Sequence, residues 1–240
     1  MSGQGADTSR AATSTTRPPT ATDVGLGLVV PADWWVLRLA DADATRRTVA
    51  ALVEERFGRD DALAALRREL RVSVSASARR AAAAGGWLMA FMLTRVADVP
   101  LPATLTAFRV PGSFATDGQV DALRASLTAH ASQSGGQVDA ADGPSGLVLR
   151  SVRERVGDVP GAGAVPVLLC DYWSDPGDDR GLVHLGFSTP LPDLRDGWLD
   201  LFDAVAATLH RLDEPTSVHD DDLDDDTHHD MHHDIEGAPA

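Results

Sequence analysis

His184, Asp171 and Ser188 are the residues whose types could combine into nucleophilic chemistry, because an imidazole between a carboxylate and a hydroxyl is the arrangement of a hydrolase triad. Their spacing argues against it. Leu182-Val-His-Leu-Gly-Phe-Ser188 reads as a strand. On one strand His184 and Ser188 stand about 13 Å apart by the rise per residue, beyond hydrogen-bond reach. Ser188-Thr-Pro190 reads more simply as a strand end leading into a helix. The chain contains no Gly-x-Ser-x-Gly elbow, no phosphate loop ending in Gly-Lys-Ser/Thr and no His-Glu-x-x-His. The sequence therefore assigns no catalytic residue and implies no cofactor.

A second chemistry is written into the C-terminus. His228 with His232, and His229 with His233, have the spacing that shares a helix face, and imidazoles among carboxylates suit zinc, nickel or copper. The surrounding Asp run repels itself and opposes a helix, and an extended tail lacks the surrounding hydrogen bonds that orient metal ligands. The expectation is weak, adventitious metal binding at His228, His229, His232 and His233 on an otherwise solubilising tail.

The remaining candidates read as structure. Cys170, the single cysteine, sits in an apolar run and is expected to be inert packing. His130 falls near the end of a helix, where a positive charge complements the helix dipole. Trp34 and Trp35 are adjacent, so on a strand they point to opposite sides. An enzyme reading requires a pocket, for which Trp87, Tyr172 and His184 are the candidate lining.

Charge separates from fold. Of the formal net charge of −15, the segment Asp213–Ala240 holds eleven acids and no Arg, whereas residues 1–212 carry 25 acids against 21 Arg. The body is nearly neutral, and neither part offers the concentrated basic surface that nucleic acid requires. The opening residues contain no apolar signal-peptide core, and the longest apolar stretch, Ala81 to Leu93, is too short to cross a bilayer, which takes about 20 residues. These features predict a cytoplasmic protein without membrane insertion.

The elements that must position these residues follow from period and punctuation. Residues 1–24 are rich in Ser, Thr, Gly, Ala and Pro and predict a disordered N-terminal tail; 25–212 predict one α+β domain; 213–240 predict a disordered Asp/His-rich tail. Strands are expected over Gly27–Pro31, Trp34–Leu39, Trp87–Leu93, Thr104–Val110, Gly146–Arg155, Val165–Trp173 and Leu182–Ser188. A turn at Pro100/Pro102 should join the third and fourth of these. Helices are expected over Ala44–Phe57 (capped by Asp43, ended by Gly58), from Asp60 or Asp61 to Ala84 with Leu63, Leu66, Leu70 and Val74 on one stripe, over Asp117–Ala131, and over Asp193–Leu212. The order β-β-α-α-β-β-α-β-β-β-α, with short turns between strands, predicts a largely antiparallel sheet with helices packed on it.

Three passages carry a resemblance. Val30-Pro-Ala-Asp-Trp34 is followed by two Arg-rich amphipathic helices with Arg67-Arg-Glu-Leu70 and Ala81-Ala-Ala-Ala-Gly85; Pro102-Ala-Thr-Leu-Thr106 is the second; Leu185-Gly-Phe-Ser-Thr-Pro190 with Leu201-Phe-Asp-Ala-Val-Ala-Ala-Thr-Leu209 is the third. Over about residues 27–212 the chain resembles a group of uncharacterised actinobacterial proteins associated with type VII secretion gene neighbourhoods. The resemblance implies a small α+β domain without an assigned activity, and no catalytic residues transfer. The resulting expectation is a non-enzymatic binding or accessory module with a protein partner.

Overall fold

The structure is a computed structural model, and it describes residues 20–23, 25–96, 99–159 and 163–212. His228, His229, His232 and His233 lie outside the described residues, as do residues 1–19 and 213–240. The strands are β1 (Thr20–Asp23), β2 (Leu26–Val29), β3 (Trp34–Arg38), β4 (Gly86–Val96), β5 (Val99–Val110), β6 (Gln137–Gly143), β7 (Gly146–Val159), β8 (Gly163–Ser174), β9 (Leu182–Thr189) and β10 (His210–Arg211). The helices are α1 (Ala42–Phe57), α2 (Ala64–Ala83), α3 (Asp117–Ser132) and α4 (Arg195–Ala206). A seven-stranded antiparallel sheet in the order β3-β4-β5-β9-β8-β7-β6 forms the frame, and β1, β2 and β10 form a small second sheet. The chain is an α+β domain with helices packed on a largely antiparallel sheet.

Alternation on the strands divides the large sheet into two faces. Val183, Leu185 and Phe187 of β9 point with Leu168, Cys170 and Tyr172 of β8 into the main core. There they meet Trp198, Phe202 and Val205 of α4 and Leu26 and Leu28 of β2. Strand β4 is apolar at both phases because both its faces are covered. Leu88, Ala90 and Met92 enter that core, while Met89 and Phe91 join Leu37, Val49, Val53 and Ala78 in a second cluster beneath α1 and α2. The two Trp residues diverge as their adjacency requires: Trp34 is in the main core, and Trp35 meets Phe91 edge-to-face at 5.2 Å on the other side.

Several expectations are corrected. The N-terminal boundary at residue 24 falls after a strand, since Thr20–Asp23 pairs with Leu26–Val29. Asp41, not Asp43, caps α1; its Oδ1 accepts from the N–H groups of Asp43 at 2.8 Å and Ala44 at 3.1 Å. Leu63 and Leu66 are exposed, so only the later part of the α2 stripe, with Leu70 and Val74, reaches the core. The β4–β5 turn lies between Val96 and Val99, and Pro100 and Pro102 are inside β5. They are tolerated because β9 pairs with β5 only from Thr104 onward, leaving that side of β5 without a ladder to interrupt.

Strand β6 was not foreseen; it is an edge strand with mostly exposed residues and therefore no apolar alternation. The last helix is shorter than Asp193–Leu212. It begins after a 3-10 turn, Pro192–Leu194, and ends at Ala206. Thr208 then bonds Val29 through both the N–H (2.9 Å) and the carbonyl (3.1 Å), which turns the chain into β10 beside Gly27 and Leu26. Leu209 is buried in the core from this turn and not from the helix.

Candidate functional site

The helical layer on the second face is interrupted. Helices α1 and α2 lie on β3 and β4, and α3 lies on β6 and β7. Among the described residues, the second face of β5, β9 and β8 between them carries mostly half-buried side chains, with Leu182 and Val167 buried towards its ends and one buried carboxylate, Asp171, in its middle. Cross-strand pairing arranges this strip in rows. Phe108, His184 and Trp173 form one row, Thr106, Gly186, Asp171 and Ser151 the next, and Thr104, Ser188, Leu169 and Arg153 the third.

The aromatic row is a stack. The imidazole of His184 lies parallel to Trp173 at 4.7 Å between ring centroids, with an interplanar angle of 3°. Phe108 covers the other side at 5.5 Å and 18°. The ring therefore has few orientations open to it. Its Nε2 is 2.9 Å from Asp171 Oδ1, and Arg153 donates from its terminal nitrogen to Asp171 Oδ2 at 2.6 Å. Both carboxylate oxygens are thus committed. Because the carboxylate accepts, Nε2 carries the proton in this bond, leaving Nδ1 as the second polar atom of the ring.

Gly186 makes the contact sterically open. A Cβ at that position would stand 3.3 Å from Asp171 Oδ1 and 3.7 Å from His184 Nε2. The missing side chain is the ground over which the imidazole reaches along its own strand to Asp171. Beyond it, Thr104 and Ser188 hydroxyls bond each other at 2.6 Å. Among the described residues no hydroxyl or thiol is hydrogen-bonded to His184, so the sheet brings together His184 and Asp171 but not Ser188. Arg153, 18 residues before Asp171 in sequence, bonds the carboxylate oxygen that the imidazole does not use.

At the α3 margin of the strip a cavity of about 230 Å³ is lined by Ser126, Leu127 and His130 from the helix and by Ser151, Arg153, Asp171, Trp173 and His184 from the sheet. His130 thus faces the strip from the last turn of α3.

The pocket expected from Trp87, Tyr172 and His184 does not form. Tyr172 is adjacent to Trp173 on β8 and so points to the opposite face, into the main core with α4. Its hydroxyl donates to Asp203 Oδ1 at 2.7 Å, and Arg150 donates to Asp203 Oδ2 at 2.6 Å. Burial above all, with Cys170 beside it, pushes the Tyr172 phenol far above its usual range. Trp87 packs against the same core, again away from His184. Cys170 is fully buried, and burial pushes its thiol up to about 12, which fits the inert role expected of it. Among the described residues there is no group of three or more His, Cys, Asp or Glu able to hold a metal ion, and no helix is long and apolar enough to cross a membrane.

No family model matches the chain, and no curated protein matches it. Among solved structures, the chain is similar to the solution structure of cyanobacterial PsbP (CyanoP) from Synechocystis sp. PCC 6803. The TM-score is 0.39 and the identity 12%, over 85% of this chain and 99% of that one. A likeness of that size carries no argument about what this chain does.

Proposed function

We propose that the chain is a non-enzymatic binding module whose recognition surface is the open strip over β5, β9 and β8. The supporting observation is the interruption of the helical layer between α2 and α3. By strand spacing the interval between the two helices is roughly 20 Å. Packed helices lie about 8–10 Å apart, so the interval suits one further helical segment, supplied by a protein partner. The floor supports contact chemistry better than reaction chemistry: hydroxyls of Thr104, Thr106 and Ser188, and an aromatic stack whose only imidazole is locked by Asp171.

The resemblance to proteins of type VII secretion neighbourhoods makes an accessory role among secretion components part of the same proposal. A cytoplasmic setting goes with it and is compatible with Cys170 as a free, buried thiol.

Site-directed photo-crosslinking in the native host tests the reading. A benzophenone side chain in place of Thr106, in the middle of the strip, is expected to trap one reproducible protein adduct. The same probe in place of Val72, which is 64% exposed on α2, is expected not to trap it. Identical adduct patterns from both positions, or no adduct from Thr106, would sink the proposal.

A further inference from the structure

The cavity beside α3 has a more specific chemistry than the strip it adjoins, and its reading rests on that strip being the binding surface. The geometry points to a site for a single carboxylate group attached to a flat or apolar body.

Hydrogen-bond supply and demand in the cavity is the argument. Asp171 is the only acid in its lining, and both of its oxygens are already taken, by His184 at 2.9 Å and by Arg153 at 2.6 Å. It is buried as well, so little of its remaining acceptor capacity faces a ligand, and its charge is partnered by Arg153. Arg153 is different. A guanidinium has five N–H donors in a planar fork, and Arg153 spends one nitrogen on Asp171 with its side chain still 27% exposed. The hydroxyls of Ser126 and Ser151 and the imidazole of His130 line the same space. Arg153 brings N–H donors and no acceptor of its own, and the hydroxyls and the imidazole beside it can each donate as well, so an acceptor on the ligand is the group that completes the set.

Charge narrows the class. Arg153 is the one permanent cation in the lining, and Asp171 already offsets part of its field. A monoanion matches one partly offset guanidinium; a phosphate dianion would need more positive charge than the cavity supplies. A carboxylate is also planar, as the guanidinium fork prefers. Beside these groups the lining offers the flat rings of Trp173 and His184 from the sheet and Leu127 from the helix, and the volume of about 230 Å³ admits a ring or a short side chain beside the carboxylate.

The ligand carboxylate has two sources, a free small acid or an acidic side chain of the partner segment in the strip. Both are tested on the full chain by following the Trp173 indole and Arg153 guanidinium resonances during titration. Benzoate represents the free acid, N-acetyl-Phe-Glu-Phe-amide the acidic side chain, and phenyl phosphate the dianion. Saturable shifts of both resonances are expected with one of the two carboxylates, at least about tenfold tighter than with phenyl phosphate; the tighter carboxylate identifies the source. Arg153→Gln is expected to weaken binding at least about tenfold, the scale of one charge-assisted bond. Because Arg153 also holds Asp171, a second variant is needed that leaves the sheet alone. Ser126→Trp, on the exposed side of α3, should fill the cavity and abolish the shifts while leaving the thermal transition in place. Resonances unmoved by either carboxylate, equal response in Ser126→Trp, or tighter phenyl phosphate binding would each overturn the inference. Failure here combined with a specific adduct from the Thr106 probe would remove the carboxylate site alone and leave the binding surface standing.

Discussion

Gly186 lies beneath the imidazole of His184, at a point where a Cβ would stand 3.7 Å from Nε2 and 3.3 Å from the carboxylate oxygen that Nε2 meets. The contact between His184 and Asp171 thus depends on a residue that touches neither through a side chain. Alanine at 186 requires Asp171 to give by a few tenths of an ångström, which the carboxylate has room to do. Valine adds two methyl groups to the same space. Gly186→Ala is expected to change stability by less than about 1 kcal/mol, and Gly186→Val to break the His184–Asp171 bond. Loss of the hydrogen-bonded imidazole N–H signal in the valine variant, and its retention in the alanine variant, are the readouts. An intact signal in Gly186→Val would show that the row spacing tolerates a side chain there.

Asp171 holds two donors at once, so its removal strands both. Asp171→Ala is expected to cost about 2 kcal/mol in urea denaturation, in the range for hydrogen bonds to a charged group. Asp171→Asn keeps an oxygen acceptor and should cost less. Side-chain exposure of Arg153 lets water take over part of its bonding, which is why the expected value is below that of a fully buried pair. A loss below about 0.5 kcal/mol in Asp171→Ala would mean that solvent replaces the carboxylate completely.

The strip was half legible in the sequence. Alternation along β9 is enough to place His184, Gly186 and Ser188 on one face and Val183, Leu185 and Phe187 on the other, and the structure agrees. The partner of His184 was not fixed by the same pattern, because it depends on the β8–β9 register, in which Asp171 faces Gly186 and Trp173 faces His184. A shift of that register by two residues would keep every apolar side chain inside and change the whole site. Arg153 was less legible still: it comes from β7, and its half-exposed alternation reads equally well as a solvated edge. Strand β6 carried no signal, since both of its faces are largely exposed. The misread end of α4 has a different cause. Leu209 and Leu212 continue the helical period, yet Thr208 satisfies the edge of β2, and that tertiary bond outweighs local periodicity.

Acid should weaken the fold through the loop after β8. Burial alone would raise the Asp175 carboxyl, but the N–H groups of Phe114 and Gly177 and the Ser113 hydroxyl outweigh it and hold it below the usual range. Asp178 is likewise lowered, with burial opposed by Arg109. A carboxyl depressed in the folded state binds fewer protons there than in the unfolded chain. Its stabilisation is therefore complete above the unfolded value, about 3.9, and is lost as pH falls through the folded value. Urea midpoints measured from neutral pH down to about pH 3 should fall, and the double variant Asp175→Asn/Asp178→Asn should fall less steeply. Equal slopes for the two proteins would assign the acid sensitivity to other carboxylates.

The described hydrogen bonds and core contacts run out at Leu212, whose N–H donates to the Gly25 carbonyl at 2.9 Å. Leu209, just before it, is the final buried contribution to the main core. A chain ending at Leu212 keeps all of these interactions while losing eleven acids and five imidazoles, His219 with His228, His229, His232 and His233. Its thermal transition is expected to match that of the full chain within about 1–2 °C, since no described contact is removed and a 1 kcal/mol change would move a domain of this size by about 2–4 °C. Zinc or nickel titration separates the two ends of the molecule further. Heat of binding is expected from the full chain and not from the shortened one, because carboxylate and imidazole ligands are concentrated beyond Leu212. Equal metal uptake by both proteins would move the binding groups into the folded domain, and a large drop in the transition temperature would place stabilising contacts in the segment after Leu212.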